Sequence, residues 1–268
     1  MKNWTGERLE TFIYNRIAIE HLHRYAITDQ YIENKIVLDI ASGEGYGTSL
    51  MSKKASFVYG VDIDKQTIAR AKIKYTENNI KFLEGSTSAI PLENNSVDVV
   101  VSYETIEHHS EHEKMMLEIK RVLKPDGILI ISTPDKLNYS ERRNLINEFH
   151  VKELYKDEFS NLIRNYFGQQ QLLSQFFSNG NSVIQQDDNK ADLSFYQGNY
   201  SVVKNKIINP MFLVIIASDF EFKKHKISFF EGSNIVKKEM LLEMRNSNTY
   251  KVGNFILFPF KFLKRLLT

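Results

Sequence analysis

The sequence of 268 residues predicts an α/β fold, in which a doubly wound, seven-stranded, mostly parallel sheet has helices on both faces and a C-terminal appendage follows. Two observations predict it. Between Ile36 and Thr133, short runs that are apolar nearly throughout alternate with amphipathic segments, as they do when helices cover both faces of a parallel sheet. A glycine-rich turn also joins the first apolar run to the first amphipathic segment, which is typical of parallel sheets that bind ligands.

The elements follow from the period of the apolar residues. The predicted strands are Ile36–Ile40, Phe57–Asp62, Ile80–Glu84, Val97–Ser102, Ile128–Ser132, Gln169–Phe177 and Met211–Ala217. The predicted helices are Tyr14–Ala26, Tyr46–Lys54, Lys65–Glu77, Glu111–Leu123 and Val151–Tyr166. The turn from Lys124 to Gly127 contains a proline and a glycine, which ends the fourth of these helices.

Composition divides the chain into three parts. Residues 1–33 are predicted to form a helical cap, and residues 34–219 the main domain, with a polar insertion at about 178–209. Residues 220–268 are a charged C-terminal appendage that ends in a basic, aromatic-rich amphipathic tail at Asn254–Thr268. Such a tail can lie on an anionic membrane surface, or it can pack onto the domain or a second subunit in a homo-oligomer.

The composition also excludes several classes of function. The absence of cysteine excludes disulfides, thiolate metal sites and cysteine nucleophiles. A formal net charge of +2 gives no reason to expect a nucleic-acid partner. No apolar run approaches the roughly 20 residues of a membrane-spanning helix, and the N-terminus lacks the apolar core of a signal peptide. We expect a cytoplasmic protein, located at the inner membrane face if its tail binds lipid.

The sharpest motif is V-L-D-I-A-S-G-E-G-Y-G at residues 37–47. Its strand ends near Asp39. Its glycines have the spacing GxGxG, which differs from the GxGxxG of dinucleotide-binding proteins, and the lysine of a phosphate-binding Walker motif does not follow them. About 20 residues later the second strand ends at Asp62, where a carboxylate can accept both ribose hydroxyls of an adenosine ligand. Alternatively Asp62 caps the next helix, although Asp64 is better placed to do so.

Titratable side chains cluster directly after the fourth strand, in Y-E-T-I-E-H-H at residues 103–109. His108 is a candidate general base because imidazole titrates near neutral pH. In a second interpretation Glu104, Glu107 and His108 hold Mg²⁺ or Mn²⁺, which would lower the pKa of an acceptor hydroxyl. In a third interpretation, Glu107 and His108 only cap the next helix and organise the sheet edge. His150, which follows the fifth strand, either faces the substrate that accepts a group in the reaction or caps the helix that follows.

Taken together, these ordered motifs resemble the class I S-adenosylmethionine-dependent methyltransferases, from about Asn34 to Pro134, which have a Rossmann-like sheet. The resemblance implies that Asp39 lies near the methionine amino group of the cofactor, Asp62 at the ribose and Ile63 against the adenine. The family often has aspartate where Ser86 stands. The implied cofactor-binding residues are Asp39, Ala41, Ser42, Gly43, Gly45, Asp62, Ile63, Ser86, Thr87 and Tyr103. Arg8 or Arg24 could pair with the methionine carboxylate, or both could be solvated helix-face charges.

Two finer resemblances bear on the acceptor. The E-x-x-E-H stretch resembles that of quinone-pathway O-methyltransferases. The segments T-G-E-R, I-S-T-P-D and F-H-V-x-E-L, and the tail, are similar to enzymes of bacterial O-antigen and capsular polysaccharide clusters. They imply that a sugar nucleotide or a lipid-linked glycan is O-methylated, with Glu104, Glu107, His108 and His150 as candidate catalytic residues. The alternatives are a small-molecule or quinone-type O-methyltransferase and a non-catalytic scaffold in a glycan-assembly complex.

Overall fold

A mixed sheet of nine strands forms the centre of the computed structural model, which describes residues 8–187 and 193–256. The described residues contain eleven strands, nine in this sheet and two in a separate hairpin. In chain order they are β1 (Ile36–Ile40), β2 (Phe57–Asp62), β3 (Ile80–Glu84), β4 (Val97–Ser102), β5 (Leu123–Pro134), β6 (Gln169–Ser178), β7 (Asn181–Gln186), β8 (Tyr196–Asn199), β9 (Val202–Asn205), β10 (Phe212–Ser218) and β11 (Ser228–Glu231). The order in the sheet is β11-β7-β6-β10-β5-β4-β1-β2-β3, and β8 and β9 form the hairpin. All seven predicted strands are present, but the predicted strand count is wrong because β7 and β11 extend the sheet.

The two halves of the sheet differ in strand direction. Neighbouring strands from β1 to β5 pair in parallel, whereas β10 is antiparallel to both β5 and β6, and β7 is antiparallel to β6 and β11. The carboxyl ends of β1, β2 and β4 therefore meet at one edge, where open α/β sheets bind ligands.

The helices are α1 (Arg16–Ile32), α2 (Tyr46–Ser52), α3 (Lys65–Lys74), α4 (His112–Val122), α5 (Lys136–Tyr139), α6 (Lys156–Arg164) and α7 (Ser233–Asn246). Asp64 caps α3, because its Oδ1 accepts hydrogen bonds from the backbone amides of Gln66 and Thr67 at 2.8 and 3.2 Å. This confirms the prediction that Asp64 serves as the cap better than Asp62.

One predicted helix begins later than expected. The sequence predicts helix over Val151–Tyr166, but α6 starts only at Lys156. The amides of Val151 and Lys152 instead donate to the backbone carbonyl of Glu107 at 2.8 and 3.0 Å. These long-range bonds fix the segment that carries His150 beside the end of β4.

Strand β7 and the preceding strand are joined by an Asn179-Gly180 turn, in which both residues have positive φ (49° and 79°). Asn-Gly is the preferred sequence of such a two-residue hairpin turn. It lies inside the segment that composition predicts as an insertion at about 178–209, and β11 comes from the predicted appendage 220–268. The division into domains at these positions stays a prediction.

Strands β7 and β11 are both attached to α1 through a single buried histidine. The ring nitrogens of His23 lie 2.9 Å from the hydroxyl of Ser182 on β7 and 2.9 Å from that of Ser228 on β11. Burial, aided by nearby cationic groups, lowers the pKa of His23 to about 3, so the ring is neutral and bridges the two hydroxyls.

The core lies on both faces of the sheet, as successive residues of each strand point to opposite sides. In β10, Leu213 and Ile215 pack on the α6 side with Phe159, while Val214 and Ile216 pack on the α1 side. Burial of each such side chain contributes about 1.5–3 kcal/mol. The two layers hold the strand ends, and with them the loops that carry the polar residues, in fixed positions.

Within residues 8–187 and 193–256, helices long and apolar enough to span a bilayer are absent. Most of the predicted amphipathic tail, residues 257–268, lies outside the described residues. Its contact with a membrane or a second subunit therefore remains a prediction.

Candidate active site

The turn after β1 adopts a backbone conformation that leaves space above it. Ala41, Gly43 and Gly45 have φ values of 61°, 54° and 92°, and a non-glycine residue such as Ala41 adopts this region at a cost of about 1–3 kcal/mol. A Cβ added at Gly45 would lie 2.8 Å from the Phe82 ring, whereas one added at Gly43 would meet no described atom within 4 Å. The Phe82 ring therefore fills the space on one side of the turn, and the space on the other side, above Gly43, is open.

The carboxylate of Asp62 closes one side of this open space. Only 3% of Asp62 is exposed; its Oδ2 accepts a hydrogen bond from the amide of Gly43 at 2.9 Å, and its Oδ1 accepts one from the amide of Asp64 at 2.9 Å. The guanidinium of Arg8 lies 3.4 Å from Oδ1. Next to it the side chain of Ile63 is 69% exposed. A carboxylate beside an exposed apolar side chain fits the ribose and the base of an adenosyl ligand.

Asp39 lies deeper than the prediction of a contact with the methionine amino group requires. It is 1% exposed and accepts hydrogen bonds from the hydroxyls of Thr48 at 2.7 Å and Tyr25 at 3.4 Å. Burial raises the pKa of Asp39 to about 7, against the lowering effect of these two bonds. Tyr25 in turn fills the space beside Gly47, where an added Cβ would lie 2.0 Å from its ring. In this conformation Tyr25 covers Asp39.

The other predicted cofactor residues lie around the same strand ends. The buried hydroxyl of Ser42 has no hydrogen-bond partner within the described part of the chain, as expected of a group that awaits a ligand. Tyr103 donates to the carbonyl of Arg24 at 2.8 Å and is buried. Ser86 and Thr87 hydrogen-bond to a neighbouring hydroxyl and imidazole, both at 3.3 Å. Ser42 therefore adds to the fit of this hollow for the predicted cofactor.

A cavity of about 220 Å³ follows the carboxyl ends of β4 and β5. All four predicted catalytic residues line it: Glu104, Glu107, His108 and His150. The polar lining also includes Glu20 and His21, together with four residues that sequence reasoning missed: Arg16, Tyr139, Arg143 and Asn147. The structure therefore brings the two separate histidine motifs of the sequence into one polar cavity, which we call the acceptor cavity.

The tautomer of His108 follows from its surroundings. Its Nδ1 lies 2.9 Å from the backbone carbonyl of Phe149. Since a carbonyl can only accept, Nδ1 must carry the hydrogen, and Nε2 therefore presents a lone pair when the ring is neutral. Nε2 lies 4.0 Å from Oε1 of Glu107, and about a third of the His108 side chain is exposed. The geometry is that of a proton acceptor in the acceptor cavity.

His150 is held rigidly beside it. Its Nδ1 lies 2.5 Å from Oε1 of Glu153, and its Nε2 lies 2.9 Å from the amide nitrogen of Asn147. The ring packs edge-on against His108 at 5.2 Å and stacks on Tyr139 at 5.4 Å. Both ring nitrogens are thus engaged, so His150 positions His108. Glu153 was missed, although it lies three residues after His150 in the same motif.

The two glutamates have different environments. Glu107 is buried, and burial, followed by the charge of Glu104, raises the pKa of Glu107 well above its usual range. Its Oε2 accepts from Thr133 at 3.3 Å, while Oε1 has no partner in the described residues. Glu104 has a positive φ of 50°, and its Oε1 accepts from Ser132 at 2.6 Å. The neutral form of Glu107 therefore suits its position at the base of the acceptor cavity.

The structure groups a different set of potential metal ligands from the predicted one. Ligand atoms of Glu107, His108 and His150 lie within 4.8 Å of one another. Glu104, which the prediction included, is not in this group, and its carboxylate accepts a hydrogen bond from Ser132. Two imidazoles and one carboxyl do not match the all-oxygen set that Mg²⁺ prefers, and a ligating carboxyl must be ionised. The donor set does not fit the predicted Mg²⁺, and because burial favours the neutral form of Glu107, this carboxyl is a poor ligand for the predicted Mn²⁺ as well.

Comparison with known proteins finds similarity over the glycine turn and the parallel strands. Residues 38–131 match a family model described as a methyltransferase domain. A probable S-adenosylmethionine-dependent methyltransferase of Mycolicibacterium smegmatis is 35% identical over 58% of this chain and 56% of its own length. A ubiquinone biosynthesis O-methyltransferase of Bartonella tribocorum is 27% identical over 46% of this chain and 50% of its own. The chain thus spans about half the length of the curated relatives it matches.

A solved structure agrees with the fold. The crystal structure of a methyltransferase from Thermotoga maritima, described as a possible histamine N-methyltransferase, aligns with a TM-score of 0.55 over 76% of this chain and 91% of its own. At 17% sequence identity the likeness shows the shared α/β architecture only.

Proposed function

We propose that this chain, whose residues 38–131 match a methyltransferase domain, is a class I S-adenosylmethionine-dependent methyltransferase and that it transfers the cofactor's methyl group to a hydroxyl oxygen of a sugar. The observation that carries the proposal is His108, whose Nδ1–H is fixed by the Phe149 carbonyl and whose Nε2 presents its lone pair to the acceptor cavity. A hydroxyl acceptor must lose a proton during methyl transfer, and a nearby imidazole can take it.

The glycine turn and the end of β2 would hold the cofactor. Asp62 would accept from the ribose hydroxyls, Ile63 would pack against the adenine, and the open space above Gly43 would take the rest of the adenosyl group. When bound, the cofactor supplies a methyl group already activated by a sulfonium. Arg8 has to leave Oδ1 of Asp62 before a ribose hydroxyl can take its place.

The residues of the acceptor cavity would then perform the acid–base work. His108 Nε2 accepts the hydroxyl proton, and the resulting imidazolium keeps its Nδ1–H bond to the carbonyl of Phe149. His150, fixed by Glu153, holds the His108 ring in this orientation through their edge-on contact. The protein supplies alignment and a proton acceptor, which a direct displacement requires.

The lining of the acceptor cavity favours a sugar over an apolar acceptor. Arg16, Glu20, Arg143 and Asn147 place hydrogen-bond donors and acceptors around it, and a sugar ring offers several hydroxyls that match both kinds of group. The sequence resemblance to enzymes of polysaccharide clusters supports a surface glycan, or its nucleotide- or lipid-linked precursor, as the acceptor.

The test is transfer of a labelled methyl group from S-adenosylmethionine to a panel of sugar nucleotides, with product detection by mass spectrometry. We expect His108→Gln to slow turnover by about 10²- to 10⁴-fold, with unchanged cofactor affinity by calorimetry. His225→Gln is the matched control, because His225 contacts Gln30 and Ser228 and does not line the acceptor cavity. Wild-type turnover by His108→Gln would remove this residue from the mechanism.

A second candidate acceptor is a quinone-type phenol, favoured by the 27% identity to the ubiquinone biosynthesis O-methyltransferase. The same assay with a catechol in place of the sugar nucleotides distinguishes the two. Calorimetry with S-adenosylmethionine alone also tests the non-catalytic alternative, since a scaffold would not bind it, and Asp62→Ala should weaken binding strongly if the ribose assignment is correct.

A further inference from the structure

A large cavity lies outside the site described above. It has a volume of about 820 Å³, against about 220 Å³ for the acceptor cavity. Helix α5 lies between the two, since its Leu137 and Asn138 line the large cavity and its Tyr139 lines the acceptor cavity. The volume is within the roughly 300–1,000 Å³ of small-molecule binding sites.

The floor of this large cavity carries buried polar atoms that await a partner. Ser174 on β6 and Gln185 on β7 are neighbours in the strand register, and both line the cavity. Ser174 is only 2% exposed. Within the described part of the chain, its Oγ and the Oε1 of Gln185 have no hydrogen-bond partner. A buried polar atom without a partner costs about 1–3 kcal/mol, which a bound hydrogen-bonding ligand would recover.

The rest of the lining combines aromatic rings with amides and balanced charge. Phe176 and Phe195 pack at 6.1 Å, and Tyr196 on the β8–β9 hairpin adds a ring that is 65% exposed. Asn205 on β9 supplies an exposed amide, which can donate and accept as a sugar hydroxyl does. The charged residues that line the cavity are three acids and three bases: Asp135, Asp157, Asp187, Arg142, Lys156 and Lys206.

This chemistry distinguishes between ligand classes. A nucleoside diphosphate or a free phosphate needs an excess of cations, which the lining does not offer. A neutral saccharide needs paired donors and acceptors and an apolar surface for its ring faces, and the lining offers both. We propose that the large cavity is a binding site for a neutral saccharide, where further sugar units of an oligosaccharide acceptor bind. The link to the acceptor rests on the proposed function, whereas the saccharide binding itself does not.

Binding of a saccharide in the large cavity should be detectable at the β8–β9 hairpin. Every residue of both strands is exposed, and a two-stranded hairpin has marginal stability by itself. Because Tyr196 and Asn205 at its open end line the cavity, a bound saccharide would add contacts to it. Hydrogen exchange of the amides at 196–205 should then become slower.

The experiment is saturation-transfer NMR on the full chain with methyl α-D-mannopyranoside, methyl α-L-rhamnopyranoside, maltotriose, UDP and inorganic phosphate. We expect transfer to at least one neutral saccharide, reduced about tenfold in Ser174→Ala and Tyr196→Ala, as for one lost contact. Tyr200→Ala is the matched control, because Tyr200 is an exposed tyrosine of the same hairpin that does not line the cavity.

Three results would overturn the proposal: transfer to UDP or phosphate alone, equal transfer in the Tyr196 and Tyr200 variants, or no transfer to any saccharide from the folded wild-type chain. Circular dichroism on the same samples confirms that the wild type and each variant are folded. Calorimetry with S-adenosylmethionine on the wild type separates the two proposals, because absence of cofactor binding contradicts the proposed function and leaves the saccharide result standing.

Discussion

Replacement of Asp39 by asparagine tests how deeply this carboxyl is embedded. Burial raises its pKa from the usual 3.8 to about 7, so the folded protein favours the neutral acid. Its contribution to stability is therefore complete below pH 4 and is lost as the pH rises through 7. The shift corresponds to a loss of about 4 kcal/mol between these limits. The asparagine side chain cannot ionise. Its carbonyl oxygen can still accept from the hydroxyl of Thr48, while its NH₂ group replaces the oxygen that accepts from Tyr25 at 3.4 Å.

The assay is urea unfolding followed by circular dichroism at intervals from pH 4 to pH 8.5. We expect the free energy of unfolding of Asp39→Asn, relative to the wild type, to rise by about 4 kcal/mol over this range. Asp98→Asn is a control of opposite sign: burial raises the pKa of Asp98, but bonds from Lys124 and the Ile36 amide lower it overall. A pH-independent difference between Asp39→Asn and the wild type would refute the reasoning.

Arg8→Ala should strengthen binding of S-adenosylmethionine about two- to fivefold in calorimetry, because the partly exposed ion pair with Asp62 no longer competes; weaker binding would instead indicate that Arg8 contacts the cofactor. Gly47→Ala should lower the free energy of unfolding by about 1–3 kcal/mol, because the new Cβ overlaps the ring of Tyr25; an unchanged urea midpoint would contradict this packing. Phe159→Ala should cost about 3–5 kcal/mol in the same assay, since the side chain is fully buried, and a loss below about 1 kcal/mol would show that the core is misplaced. Methyl transfer should survive EDTA, and activity that depends on added Mg²⁺ would restore the metal interpretation.

The central strands of the parallel half could be predicted from sequence because they are buried on both faces. Such strands consist of continuous apolar residues, and the predicted bounds of β1, β2 and β4, as well as those of the edge strand β3, are those of the structure. The added strands β7 and β11 could not be recognised in this way. Gln185, Gln186 and Asn181 make β7 resemble a loop, and only the Asn179-Gly180 turn indicates a hairpin.

The candidate site was predictable where it depends on local motifs. Asp62 and the glycine turn are close in sequence, and a strand–turn–helix unit fixes their geometry. The contact of His108 with His150 depends on the path of the chain between β5 and α6, which is set by the bonds from Val151 and Lys152 to Glu107. Pattern reasoning has no access to such long-range bonds, and it therefore missed the tautomer of His108 and the support from Glu153.

Strand β11 has a consequence for how this protein can diversify. It protects the outer edge of β7, and β7 contributes Gln185 and Gln186 to the lining of the large cavity, so part of this lining is supported by chain that follows the family match at 38–131 by almost a hundred residues. On the proposed function, exchanging the antiparallel margin of the sheet would change the binding site for the acceptor and leave the cofactor half intact. A chimera built at this boundary should then keep its affinity for S-adenosylmethionine and change its specificity.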